Sequence, residues 1–309
     1  MVNLVTYADS NYLQHAAVMI HSLEAVASPT TDYRVFLFVS DCPKELIDQA
    51  KKGFAHLPAN VQVEVTGLER KLPPSLLPKR GNVTAAIYNK ILIYDALPGS
   101  ITRLVFIDAD IVLCRDPAEL FHMALGSLPI AAVREKLYLM PDQTSTRKET
   151  LGLKSYRDYF NSGVMVVDLE KWRELDISNR ALQFAVEKWH ATPYHDQDAF
   201  NAVISGQWLA LSPLWNPRGL NEVEFQAQNT SVLTNWDIYE RSLQYLVHYS
   251  GPLKPWLFLT EHPKKQLYWD FLARSGFSSY RPPDRDLSNI LKKYARRLKR
   301  VLERRKLIQ

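Results

Sequence analysis

At 309 residues with 46% hydrophobic content, the chain can bury a full core as one large domain or two small ones, and no tract approaches a transmembrane span. A net charge of +5 invites a nucleic-acid reading, but residues 292–306 hold nine Lys or Arg against one acid, a local +8, so the rest of the chain carries −3. A basic tail on a mildly acidic body argues against a phosphate-tracking surface on the folded domain.

Met1 to Tyr7 lacks the basic region and long apolar stretch of a secretory signal, so Leu4 to Ala8 reads as a first strand and the expectation is a cytoplasmic protein. The sequons at Asn82 and Asn229 are then chance matches, and Cys42 and Cys114, without CxxC spacing, indicate neither a disulfide framework nor a zinc site. Leu13 to Ala27 carries Val18, Ile20 and Leu23 at helical spacing. Tyr33 to Ser40 is a second strand, Pro43 to Phe54 a helix opened by proline, and Val61 to Val65 an alternating strand. Ala85 to Leu97 is a further helix, followed by the apolar strand Arg103 to Ile107. Strand and helix in alternation predict an α/β fold with a mostly parallel sheet. A break falls at Arg281-Pro282-Pro283, dividing an α/β body, 1–280, from a basic segment, 281–309.

Directly after the strand ending at Ile107 stands Asp108-Ala109-Asp110. Side chains at i and i+2 of an extended segment project the same way, so both carboxylates can converge on one cation, and hard ions such as Mg²⁺ or Mn²⁺ prefer oxygen ligands. Ligands of open α/β sheets bind outside the carboxyl ends of strands, where this pair falls. Its bland alternative is a solvated turn.

Four other segments carry polar chemistry. Asp9-Ser10-Asn11-Tyr12 follows the first strand and offers groups that can bond and stack on a base, or simply cap the next helix. Tyr159-Phe160-Asn161-Ser162-Gly163 precedes the apolar run Val164 to Val167, marking a close backbone approach or a tight glycine turn. His195-Asp196-Gln197-Asp198 opens an apolar run, where acids also serve as dipole partners. His248 to Trp256 combines Gly251 and two prolines with His248, Lys254 and Trp256, supplying a metal ligand, a phosphate cation and a stacking face.

These segments, in this order over roughly residues 3–260, resemble the family 8 glycosyltransferases, retaining nucleotide-sugar transferases that include bacterial lipopolysaccharide galactosyl- and glucosyltransferases and glycogenin. The resemblance implies a GT-A type nucleotide-sugar-binding fold and a hexose transferred from a UDP-sugar donor to a glycan or lipid-linked saccharide. It implies that Ala8, Asp9, Asn11 and Tyr12 receive the uracil. Asp108, Asp110 and His248 would hold Mn²⁺ (or Mg²⁺), with Ala109 between them. Gly251 and Lys254 would meet the diphosphate, Asn161 the donor sugar, and Asp196, Gln197 and Asp198 the anomeric carbon and sugar hydroxyls.

Two positions depart from the pattern. Lys90 stands where an arginine is expected, keeping the charge without the bidentate fork. Arg134, with Glu135 beside it, replaces an acid that touches donor hydroxyls, and since a cation accepts no hydrogen bonds, the expectation is a donor other than UDP-galactose, such as UDP-glucose or an acidic UDP-sugar.

Gln197, an amide, is a poor nucleophile, which favours front-face attack with a leaving-phosphate oxygen taking the proton over double displacement through Asp198. Acceptor contacts are assigned to Lys136 to Tyr156 and Pro213 to Asn235. A sugar-phosphate nucleotidyltransferase would need a basic Gly-rich triphosphate loop near the first strand. A non-enzymatic membrane-surface protein would explain the tail alone. In that tail Leu287, Ile290, Leu291, Tyr294, Leu298, Val301 and Leu302 recur at helical spacing among Lys292, Lys293, Arg296, Arg297, Lys299 and Arg300. Such a segment docks on an anionic membrane surface or packs its stripe on the body.

Overall fold

The computed structural model describes residues 1–76, 86–135, 147–217, 244–251 and 254–295. Strands β1 (Val2–Asp9), β2 (Tyr33–Ser40) and β3 (Val61–Gly67) alternate with helices α1 (Leu13–Glu24) and α2 (Lys44–Phe54). Helix α3 (Ala86–Leu92) is shorter than its apolar pattern predicts. The chain runs on in turns from 93 to 96, where Pro98 supplies no N–H to extend a helix and disfavours helical backbone at Leu97.

Strand β4 (Arg103–Ile107) lies beside β1, and short β5 (Ile111–Leu113) follows at once. Helix α4 (Ala118–His122) leads to β6 (Ile130–Arg134). Then come β7 (Phe160–Asp168), α5 (Leu169–Glu174), α6 (Ile177–Lys188), α7 (His195–Ile204), β8 (Trp208–Ala210), β9 (Leu246–His248) and α8 (Lys265–Leu272). The main sheet has the order β3-β2-β1-β4-β7-β6-β8, and β7 alone runs against the rest. Because β7 is antiparallel to β4, with Ile107 opposite Val164, its amino-terminal residues stand beside Asp108 at the carboxyl end of β4.

Both faces of this sheet are covered, which is why β2 and β4 are nearly continuous apolar runs, while edge strand β3 alternates. Val35, Leu37 and Val39 of β2 point into one layer with α1, while Phe36 and Phe38 point into the other with α3 and α5 to α7. Ten of the twelve α1 residues are buried, so this helix is core on nearly every side. A separate two-stranded sheet pairs β5 with β9, with Ile111 opposite His248. That single register joins residues 137 positions apart and makes the site possible.

Residues 287–295 form a terminal helix. Lys293 Nζ bonds the Phe258 carbonyl at 3.1 Å, while Leu287, Leu291 and Tyr294, at i, i+4 and i+7, are 73%, 62% and 66% exposed. Ile290 of the same stripe is half-buried, so the helix touches the body along one edge and leaves Leu287, Leu291 and Tyr294 to solvent. Residues 296–309, with most of the basic cluster, lie outside the described residues, as do both sequons. Among the described residues no helix is long and apolar enough to cross a membrane.

Candidate active site

A cavity of about 540 Å³ opens at the carboxyl ends of β1 and β4. Asp108 is held there by a backbone bond from its N–H to the Gly163 carbonyl, 2.8 Å, and Asp110 by its carbonyl, which accepts from Tyr249 N at 3.0 Å. With Ile111 paired to His248, the imidazole Nε2 comes to 3.2 Å from Asp110 Oδ1 and 3.8 Å from Asp108 Oδ2. One ligand atom from each of the three residues lies within 4.8 Å of the others. Two carboxylates and an imidazole are the donor set a borderline-hard ion such as Mn²⁺ accepts, so these residues fit the implied metal. Burial opposes ionisation of Asp110, but Lys254 and His248 outweigh it and hold the carboxyl far below the usual range. Asp110 is a carboxylate at any working pH.

Gly163 explains why the strand must carry glycine here, and the reason is neither a tight turn nor positive φ. A Cβ at this position would stand 2.7 Å from Asp108 Oδ2 and from His248 Cε1. The β6–β7 register shifts between Ala132 and Val133, so residues 162–164 bulge toward the acid pair.

Three charged side chains surround the triad. Lys254 Nζ donates to Asp110 Oδ2 at 2.6 Å and to the Tyr249 carbonyl at 2.9 Å. Lys90, buried on α3, donates to Asp108 Oδ1 at 2.9 Å and to Ser162 O at 2.7 Å, and reaches Asp196 Oδ2 at 3.6 Å. It thus fills the expected arginine position with a compact cation that touches three groups. Burial pushes the Asp196 carboxyl up to about 6 despite Lys90.

Next to it Gln197 is fully anchored. Its Oε1 accepts from Ser162 N at 3.1 Å, and its Nε2 donates to Tyr159 Oη at 3.0 Å. Tyr159 in turn donates to Asp198 Oδ1 at 2.6 Å.

On the opposite side Ala8, Asp9 and Tyr12 line the cavity. Asp9 Oδ1 accepts from Asn11 N and Tyr12 N, 3.0 and 3.1 Å, so the helix-entry reading and the cavity reading hold together. Tyr12 meets Trp256 edge-on at 5.8 Å, and Trp256 stacks on His15 at 3.5 Å. Gly251 adopts φ +79 on the same rim, the irregular backbone expected before Lys254.

Asn11 and Asp198 do not line the cavity. Asn11 is exposed. Asp198 is 0% exposed, its carboxylate taken by Tyr159, by Tyr194 N at 2.9 Å and by Arg147 at 4.0 Å. Arg134 also departs from expectation. Its Nε donates to the Arg157 carbonyl at 2.9 Å and its side chain lines a different cavity. Glu135 is the acid that faces the site residues, accepting from Asn161 Nδ2 at 2.8 Å. Arg134 therefore stands outside the cavity that holds the acid pair, and the geometry gives it no part in choosing a donor.

Sequence reasoning missed Tyr7, Ser162, Tyr159 and Asn216. Ser162 and Tyr159 sit inside a segment already singled out. Asn216 carried no signal, because its partners are 55 and 32 residues away. Of the loops assigned to acceptor contacts, 136–146 and 218–235 lie outside the described residues.

The fold is that of GT-A type glycosyltransferases, and the sequence comparison makes the class specific. The sequence profile described as Glycosyl transferase family 8 matches residues 3–260, and the chain belongs to that family. Membership sets aside the nucleotidyltransferase and the non-enzymatic surface protein. It is 26% identical over 288 residues to General stress protein A of Bacillus subtilis, covering 92% of this chain and 97% of that one. It is 30% identical over 224 residues to lipopolysaccharide 1,2-glucosyltransferase of Escherichia coli K12, covering 70% of this chain and 62% of that one. A structure of the galactosyltransferase LgtC with donor and acceptor sugar analogues superposes with a TM-score of 0.67 at 19% identity, over 88% of this chain and 95% of that one, a likeness of fold.

Proposed function

We propose that this glycosyltransferase moves a hexose from a UDP-sugar, with retention and with a divalent metal, to a glycan or lipid-linked saccharide at a membrane surface. The observation that carries the reading is the convergence on one cavity of Asp108, Asp110 and His248 with Lys254, Lys90, Asp196 and Gln197. Ala8, Asp9 and Tyr12 would receive the base, and Lys254 the diphosphate. When bound at Asp108, Asp110 and His248, Mn²⁺ would neutralise charge that develops on the departing diphosphate.

Lys254 adds a second positive charge on that side, and the low polarity of a closed site strengthens both. Gln197, held at both ends of its amide, presents a fixed neutral dipole beside the sugar rather than a nucleophile. Asp198, buried behind it and occupied by Tyr159 and Tyr194, supports front-face attack over a covalent intermediate. The acceptor hydroxyl would lose its proton to an oxygen of the leaving phosphate.

Incubating the protein with a panel of UDP-sugars and Mn²⁺ tests the reading. UDP release with an α-linked product by proton NMR is the expected result, and a β linkage contradicts retention.

The membrane part rests on the terminal helix, whose Leu287, Leu291 and Tyr294 are exposed next to the basic cluster. Attraction of about 1 kcal/mol per surface-proximal Lys or Arg makes docking salt-sensitive. The expected outcome is flotation of the full chain with phosphatidylglycerol liposomes and none for a chain ending at Asp286; equal behaviour of both removes the membrane role.

A further inference from the structure

Between β7 and the metal-ligand triad runs a chain of three amide and imidazole groups whose orientations can be read from a single unambiguous donor. The backbone N–H of Gly163 can only donate, and it points at Asn161 Oδ1 at 2.8 Å. That oxygen is therefore the acceptor end of the Asn161 amide. The other end, Nδ2, meets the Glu135 carboxylate at 2.8 Å, which can only accept. Both ends of Asn161 agree.

Asn161 Oδ1 also takes a bond from Asn216 at 2.7 Å, so the Asn216 atom that faces it must be the NH₂ group. The remaining end of Asn216, its carbonyl oxygen, then lies 2.8 Å from His248 Nδ1. A carbonyl oxygen accepts only, so His248 must carry its proton on Nδ1. Nε2 is then the nitrogen left to give a lone pair to a metal, and it is the atom turned toward Asp108 and Asp110.

Asn216 is well placed to enforce this. It is 1% exposed and follows a one-turn 3-10 segment, Pro213–Trp215, whose Trp215 is buried in the core and bonds Glu119 Oε1 at 3.1 Å. An unpartnered amide in such a place would forfeit bonds that water cannot replace.

We propose that Asn216 is a positioning residue for metal binding: relayed from Glu135 and Gly163 through Asn161, it locks His248 as the Nδ1–H tautomer and aims the Nε2 lone pair at the two aspartates. Outer partners of this kind orient a ligating imidazole and raise its basicity, and their loss commonly weakens metal affinity 10- to 100-fold. The relay also ties the metal ligands to Glu135, so donor recognition at Asn161 and metal binding at His248 share one hydrogen-bonded path.

This inference rests on the metal reading above, and the experiment separates the two. ¹⁵N-histidine NMR of the metal-free protein reports the His248 tautomer, assigned by comparison with His248→Ala, and Mn²⁺ titration calorimetry reports affinity without turnover. The wild type is expected to show protonated Nδ1. Asn216→Leu, which offers Nδ1–H no acceptor, is expected to lose the tautomer preference and weaken Mn²⁺ binding 10- to 100-fold. A bare Nδ1 with the proton on Nε2 in the wild type overturns the proposal and needs no variant to fold. Wild-type affinity in Asn216→Leu, with binding lost in His248→Ala, overturns the relay but leaves the metal site standing. Undiminished Mn²⁺ binding by His248→Ala overturns both.

Discussion

The two walls of the cavity are built on opposite principles. The wall proposed to receive the base is backed by aromatic rings: Tyr12 stands edge-on to Trp256 and His15, His15 stacks on Trp256, and Tyr268 bonds His15 Nδ1 at 2.6 Å. Burial holds the His15 imidazole neutral, its pKa lowered to about 3, so this ring brings no charge to the wall near physiological pH. The wall proposed to face the diphosphate and sugar is a lattice of charges and amides in which Lys90, Ser162, Asp196, Gln197, Asn161 and Asn216 each occupy the others' bonding groups. Packed rings tolerate small displacements, since their contacts are non-directional. A buried polar lattice does not, because each broken bond strands a partner. Substitutions should therefore grade on the aromatic wall and fail abruptly on the charged one.

The largest effect is expected from Asp110→Ala. Loss of a main electrostatic stabiliser should lower the initial rate of UDP release by about two orders of magnitude or more. A graded loss, of about threefold, would break the comparison.

Gly163→Ala comes next. Its new Cβ meets Asp108 Oδ2 and His248 Cε1 at 2.7 Å, and the Asp108–Gly163 backbone bond leaves the strand little room to retreat. We expect an unfolding free energy lower by about 1–3 kcal/mol, the usual cost of overpacking, and weaker Mn²⁺ binding by calorimetry. Wild-type affinity would show that the bulge yields.

Asp196 sharpens the contrast through pH. Its carboxyl is raised to about 6 in the fold by burial, against an ordinary 3.8, so the folded state binds the proton more tightly than the unfolded one. Its contribution is fully present below the unfolded value and is lost as pH rises through about 6. A shift of this size corresponds to about 3 kcal/mol. Asp196→Asn should therefore gain stability relative to wild type at pH 7.5 and lose that gain at pH 4, in denaturant melts at both, while its UDP release falls. An equal stability difference at the two pH values would deny the burial cost.

The smallest effect is expected on the aromatic wall. Tyr12→Ala removes one stacking face, worth about 1–3 kcal/mol for a base, and should raise KM for the UDP-sugar about tenfold with kcat nearly unchanged. A collapse of kcat would show that the two walls are not independent.

What was legible in the sequence follows the same division. Strands buried on both faces announce themselves as apolar runs, so β2 and β4 fall at their expected residues, and the acids at the end of β4 fall where ligands bind. Motif residues that reach the cavity directly, such as Asp110, Lys254 and Asn161, were legible too, because their chemistry and their neighbours in the chain coincide. Asn216 and Glu135 were not, since their meaning lies in hydrogen bonds across the fold. Arg134 was misread for a related reason: the register shift at Ala132/Val133 decides which of two adjacent residues faces the site, and no local pattern encodes a bulge. Asp198 looked equivalent to Asp196 two positions away, yet at 0% exposure it serves Tyr159 and Tyr194 rather than the cavity.

Chelation is the decisive experiment for a metal and diphosphate site on the charged wall. UDP release by the full chain with its preferred UDP-sugar should disappear in EDTA and return in proportion as Mn²⁺ is added past the chelator, with no return in Asp110→Ala. Full activity in EDTA would contradict the account.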